Sequence, residues 1–96
     1  MKSKNRLADM CRLFGVLSDQ TRLRLLQSLL SDGQQHVSQL CSRLKLPQPT
    51  VSHHLGLLRA GGLVQNRRMG KRVIYSTDRQ ACQQIMAAVR SLARGK

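Results

Sequence analysis

Apolar side chains recur along this chain at steps of three and four, in five separate runs. That spacing gathers them on one stripe of a helix rather than on one face of a strand. Leu7, Met10, Cys11, Phe14 and Leu17 make the first stripe, in a helix over about 4–17. "SDQTRLRLLQSLLSDG" restarts the pattern. Ser18 stands where an N-cap belongs, Asp19 suits the positive helix start, and Gly33 ends the run. Leu23, Leu26, Leu29 and Leu30 are its expected buried ladder. A strand stub near Gln35–Val37 leads to a third helix over about 37–44, with Val37, Leu40, Cys41 and Leu44 on its apolar side. The turn "KLP" precedes a fourth helix over about 48–60. Pro47 and Pro49 stand at its first turn, where no backbone N–H is required. Gly61 or Gly62 takes the left-handed position after it.

Only one stretch breaks the helical rhythm. In "LVQNRRMGKRVIYS" two short β-prone runs, Leu63–Asn66 and Arg72–Ser76, flank a basic turn with Gly70, which predicts a hairpin. A last helix over about 78–93 carries Cys82, Ile85, Val89 and Leu92 as its stripe. The predicted order is helix, helix, helix-turn-helix, β-hairpin, helix: a mainly α, single domain over 1–96. A core built from so short a chain is thin, and burying a further face against a second copy would strengthen it.

Charge then narrows the partner. The chain has 17 Lys and Arg against 4 Asp and no Glu, a formal net charge of +13. Such a balance calls for a polyanion. No acid stands between Asp32 and Asp78, yet that stretch holds Arg43, Lys45, Arg59, Arg67, Arg68, Lys71 and Arg72. No apolar run approaches the roughly 20 residues of a membrane span. The first residues, "MKSKNRLADMCRLF", lack the apolar core of a secretion signal, so a cytoplasmic location is expected, with reduced thiols.

The fourth helix says what the polyanion is. At 100° per residue, Val51, Leu55 and Leu58 share a face with His54, which makes His54 a packed, hydrogen-bonded histidine. Pro49, Ser52, His53 and Gly56 lie opposite, with Gln48 and Thr50 at the N-terminal end. These side chains are small or hydrogen-bonding, and none is acidic. Such a ridge suits the DNA major groove, where Gln pairs with adenine and the Thr methyl meets a thymine methyl. Arg67, Arg68, Lys71 and Arg72 at the hairpin tip would reach the backbone or minor groove. A metal reading of the histidine pair is weaker. Adjacent His53 and His54 diverge by about 100°, whereas zinc-binding histidines on a helix sit at i, i+4. Residues 33–77 hold no carboxylate to orient a catalytic histidine, so no enzyme and no cofactor is expected.

"LFGVLSDQTRLRLLQSLL", "QPTVSHHLGLLRAGGLV" and "GKRVIYS" together resemble the ArsR/SmtB family of bacterial winged-helix repressors, over about residues 7–93. The resemblance implies a homodimer through the first and last helices. It implies an operator of double-stranded DNA, an imperfect inverted repeat whose major grooves lie about 34 Å apart. Gln48, Pro49, Ser52 and His53 match the family's DNA contacts, though Pro49 replaces a frequent serine and donates no hydrogen bond. Lys45 stands where the turn often has glycine, which implies a left-handed lysine. The family's thiolate motif, two cysteines one residue apart, falls on His36 and Ser38. Its last-helix zinc site falls on Asp78, Ala81, Leu92 and Gly95. Neither usual metal site is implied here, and the inducer stays unnamed.

Cys11, Cys41 and Cys82 are then candidate thiol sensors, against the simpler role of filling apolar stripes. The expected function is a sequence-specific dimeric repressor. The alternative is a nonspecific architectural protein driven by charge alone.

Overall fold

The computed structural model describes residues 6–95. Its elements are α1 (Arg6–Leu17), α2 (Gln20–Asp32), β1 (Gln35–His36), α3 (Val37–Leu44), α4 (Gln48–Ala60), β2 (Val64–Met69), β3 (Arg72–Thr77) and α5 (Arg79–Ala93). This is the predicted order, and the fold is a winged helix. The expected helix start at residue 4 lies outside the described residues.

The core lies where α2, α3, α4 and the start of the hairpin meet. Leu25, Leu29, Leu40, Val51, Leu55, Leu58 and Leu63 are all at most 1% exposed, joined by Leu26, Leu44 and Val64. Each such side chain contributes about 1.5–3 kcal/mol through burial. The α2 ladder differs from expectation. Leu26 and Leu29 are buried, but Leu23 and Leu30 are exposed and Leu25 replaces them. Five leucines between positions 23 and 30 make two overlapping stripes, and α3 and α4 pack on the one through Leu25.

Helix ends follow local chemistry. Asp19, not Ser18, caps α2: its carboxylate accepts from the Arg22 backbone N–H at 3.1 Å. Ser18 instead donates its hydroxyl to the Gly15 carbonyl. Gly33 closes α2 with φ 85°. Asp78 caps α5 through the Ala81 N–H, so that helix begins one residue later than expected. Lys45 ends α3 with φ 57° and ψ 49°, the left-handed lysine that the resemblance implies. Arg24 reaches the Leu44 carbonyl at 3.0 Å. Three residues later Pro47 caps α4 and Pro49 lies in its first turn. Of the two glycines after α4, Gly62 takes the left-handed conformation.

The sheet order is β1-β3-β2, antiparallel throughout. Val37 belongs to α3, and β1 is only Gln35–His36. The hairpin is longer than expected. Pairing runs from Val64↔Thr77 to Met69↔Arg72, so Arg67 and Arg68 are strand residues and only Gly70 and Lys71 make the turn. Gly70 has φ 66° while Lys71 does not, the pattern of a type II′ turn.

Candidate nucleic-acid interface

The two sides of α4 are sharply divided. Val51, Leu55 and Leu58 are fully buried. Gln48, Pro49, Ser52, His53 and Gly56 are exposed, and Thr50 is half-buried. The inward face locks the helix, and the outward face is free of carboxylate. His54 is turned inward as expected, with its Nδ1 3.2 Å from Arg22 Nη1. Sequence reasoning finds the packed histidine but misses Arg22 as its partner, because 32 residues separate them.

The wing divides its arginines. Arg67 pairs with Ile74 and Arg68 with Val73, so the two point to opposite faces of the ribbon. His36 also pairs with Ile74, which puts His36, Arg67 and Arg72 on one face. There Arg72 Nη1 stands 2.9 Å from His36 Nε2, and Arg67 donates to Gln34 Oε1 at 3.4 Å. Arg68 donates to the Gly70 carbonyl at 3.4 Å. All four basic wing residues, Arg67, Arg68, Lys71 and Arg72, are exposed. A cleft lined by His36, Val37, Ser38, Gln48, Arg72 and Val73 joins the wing base to the start of α4. The start of α4 and the base of the wing thus meet along one cleft.

The four acids are kept out of it. Asp9 pairs with Arg12, and Asp32 with Arg43 at 2.9 Å. Asp19 and Asp78 cap helices. Hydrogen bonding from the Arg22 backbone N–H holds the Asp19 carboxyl below the usual range, and the charges of Arg22 and His54 lower it further.

At the positions where the resemblance puts metal sites, the His36 and Asp78 side chains are engaged within the protein. His36 uses Nδ1 with the Ser38 hydroxyl at 2.8 Å and Nε2 with the Arg72 guanidinium, so a positive charge already stands at its free edge. The Asp78 carboxylate is engaged as a cap. Among the described residues no group of three or more His, Cys, Asp or Glu side chains could hold a metal ion. The cysteines are spread over three helices. Cys11 is exposed on α1, while Cys41 and Cys82 pack against the core. Burial pushes the Cys82 thiol up, and the neighbouring Asp78 adds to this. That disfavours the reactive thiolate.

Known proteins carry the same pattern. The family described as "Bacterial regulatory protein, arsR family" matches residues 19–66, the span from the cap of α2 into β2. The chain belongs to the arsR family. Like its relatives, this arsR-family protein is a DNA-binding transcriptional regulator and not an enzyme. It is 37% identical to the arsenical resistance operon repressor of Escherichia coli (strain K12), over 86% of this chain and 84% of that one. Its fold is similar to that of an ArsR-like transcriptional regulator from Rhodococcus sp. RHA1, with TM-score 0.84 and 26% identity over 93% of this chain and 83% of that one. It is also similar to a homodimeric winged helix-turn-helix DNA-binding domain from Mycobacterium bovis, with TM-score 0.73 and 27% identity over 98% and 91% of the two chains. No described helix is long and apolar enough to cross a membrane.

Proposed function

We propose that this arsR-family protein is a homodimeric, sequence-specific repressor acting in the cytoplasm on an imperfect inverted-repeat operator. The observation that carries this reading is the division of α4: three fully buried side chains behind, and an exposed carboxylate-free ridge of Gln48, Pro49, Ser52, His53 and Gly56 in front. The ridge enters the major groove, with Thr50 near its N-terminal end. Gln48, Ser52 and His53 address base edges, and Pro49 and Gly56 keep the helix slim. Lys71 at the wing tip, with the arginines of the ribbon face that meets the duplex (Arg67 and Arg72, or Arg68), holds the backbone or minor groove beside it. Dimerisation joins the exposed apolar faces of α1 and α5 and presents two such ridges to one duplex.

The thiols contribute little to regulation on this reading. Cys41 and Cys82 fill apolar stripes, and Cys11 is the one exposed thiol of the three. Operator release by oxidant or persulfide, abolished by Cys11→Ser, would restore a thiol sensor.

The test is titration of the duplex upstream of the protein's own gene against a scrambled duplex at equal salt. Binding in the nanomolar range is expected for the first, with the scrambled duplex weaker by at least about 10³. Ser52→Ala with His53→Ala should erase most of that difference while leaving the weak binding in place. Equal affinity for both duplexes would mean a nonspecific, charge-driven coating protein.

A further inference from the structure

His54 is the one polar member of the inward face of α4, and its side chain is 16% exposed. Its Nδ1 faces Arg22 Nη1 at 3.2 Å. The same guanidinium donates from Nε to the Val16 carbonyl at 2.5 Å. One side chain therefore ties together the last turn of α1, the first turn of α2 and the middle of the recognition helix. Guanidinium only donates and never gives up its proton in a protein. The contact thus requires a lone pair on Nδ1, which puts the ring proton of neutral His54 on Nε2.

A second partner stands beside the first. Asp19 Oδ2 lies 3.8 Å from the same Nδ1. Its carboxyl is held below the usual range, chiefly by the Arg22 backbone N–H, so it stays ionised where histidines titrate. Among the described residues, Arg22 from α2, Asp19 from the α1–α2 corner and His53 from α4 are the charged or titratable groups recorded against His54. The His53 ring stands edge-on at 5.1 Å, and it belongs to the DNA-facing ridge.

We propose that Arg22 and His54 form a proton-sensitive clasp that positions the recognition helix for sequence-specific reading of DNA. The inference rests on the repressor reading above and deepens it. Neutral His54 accepts from Arg22 and holds α4 against the α1–α2 corner. When Nδ1 takes a proton from solvent, it becomes a donor. The Arg22 hydrogen bond is lost, two cations face each other, and the new N–H turns to Asp19. The ring shifts towards the cap of α2, and His53, the next residue, shifts with it. Arg22 and His54 are positioning residues that need not touch DNA.

The sign of the effect separates the clasp from bulk electrostatics. Added protons strengthen the attraction of any cationic protein to phosphate. Loss of the clasp weakens only the specific component. The readout is therefore the ratio of affinities for a duplex that the wild-type protein enriches from a random library at pH 8 and for its scrambled counterpart. At fixed salt this ratio should fall about tenfold between about pH 8 and about pH 5.5. His54→Asn places an amide oxygen near the Nδ1 position and takes no proton, so it should keep a high ratio at both values. His54→Ala and Arg22→Ala should show a low ratio at both. Nitrogen NMR of the imidazole in the free protein at pH 8 should find the proton on Nε2.

A proton on Nδ1 there would overturn the clasp whatever the DNA results. A wild-type ratio independent of pH, or His54→Asn losing specificity at pH 8, would overturn the positioning role even if the tautomer is as expected. The wild-type protein, His54→Asn and the spectra decide the matter should His54→Ala fail to fold. If the wild-type protein enriches no sequence at all, the repressor reading falls, and the positioning role falls with it. The tautomer would then judge the bond alone.

Discussion

Gly56 occupies the middle of α4, where alanine would be better by about 0.5–1 kcal/mol. A Cβ at that position meets nothing within 4 Å, and its φ is not in the left-handed region. Neither the protein's packing nor its backbone calls for glycine, so the cost is borne for something outside the protomer. Gly56→Ala should raise stability by about 0.5–1 kcal/mol, seen as a melting temperature higher by about 4 °C. It should also weaken operator binding, because the added methyl widens the ridge. A variant that is more stable and binds as tightly would show that groove fit is not why glycine is there. Lys45 is the reverse case, a residue whose strain is legible in the sequence itself. It fills a turn position that favours glycine in the resembling family, and its φ of 57° agrees with that reading. The α2 leucines are less legible. Periodicity identifies a helix with apolar residues on it, but Leu23, Leu25, Leu26, Leu29 and Leu30 cover more than one face. Only the packing of α3 and α4 selects Leu25 over Leu23 and Leu30.

At the scale of the element, the wing shows what local propensity conceals. Arg67 and Arg68 are neither β-branched nor aromatic, and nothing local extends a strand past Asn66. Cross-strand pairing carries β2 to Met69, opposite Arg72. Strand alternation then sends the two adjacent arginines to opposite faces. Arg72 is steadied by His36, a residue that sequence reasoning places at a metal position and not in the wing. The strand register brings them together, and no local motif announces it. The split has a measurable consequence. Only the arginine on the DNA side can displace counterions, so Arg67→Ala and Arg68→Ala should differ. One should lower the slope of log affinity against log salt by about 1, and the other should change it little. Specificity should be unaffected by either, because phosphate contacts position the protein without reading bases. Equal loss from both would place both faces of the ribbon against the duplex, as in a wing inserted into the minor groove.

For the molecule as a whole, the unfinished surfaces are the most informative. α5 has no buried residue, although its sequence carries a full apolar stripe. Cys82 and Ile85 lean on the core, but Met86 is 59% exposed and Leu92 52%. On α1, Leu7 and Phe14 are exposed as well. Exposed apolar side chains on two helices in this way suit an interface, and a second copy covers them on the reading above. Met86→Glu with Leu92→Glu should therefore leave the protomer folded, since neither residue belongs to the core and more than half of each is exposed. The same change puts carboxylates into the joint and should yield monomers by light scattering. Operator affinity should then fall by about 10²–10⁴, because the second half-site is no longer delivered at high effective concentration. Binding to a duplex bearing a single half-site should be nearly unchanged. That contrast assigns the loss to assembly and not to a damaged recognition helix. A variant that stays dimeric would place the interface elsewhere. A monomer that still binds the full operator with wild-type affinity would show that one ridge and one wing suffice, leaving the exposed faces of α1 and α5 to serve some purpose other than DNA binding.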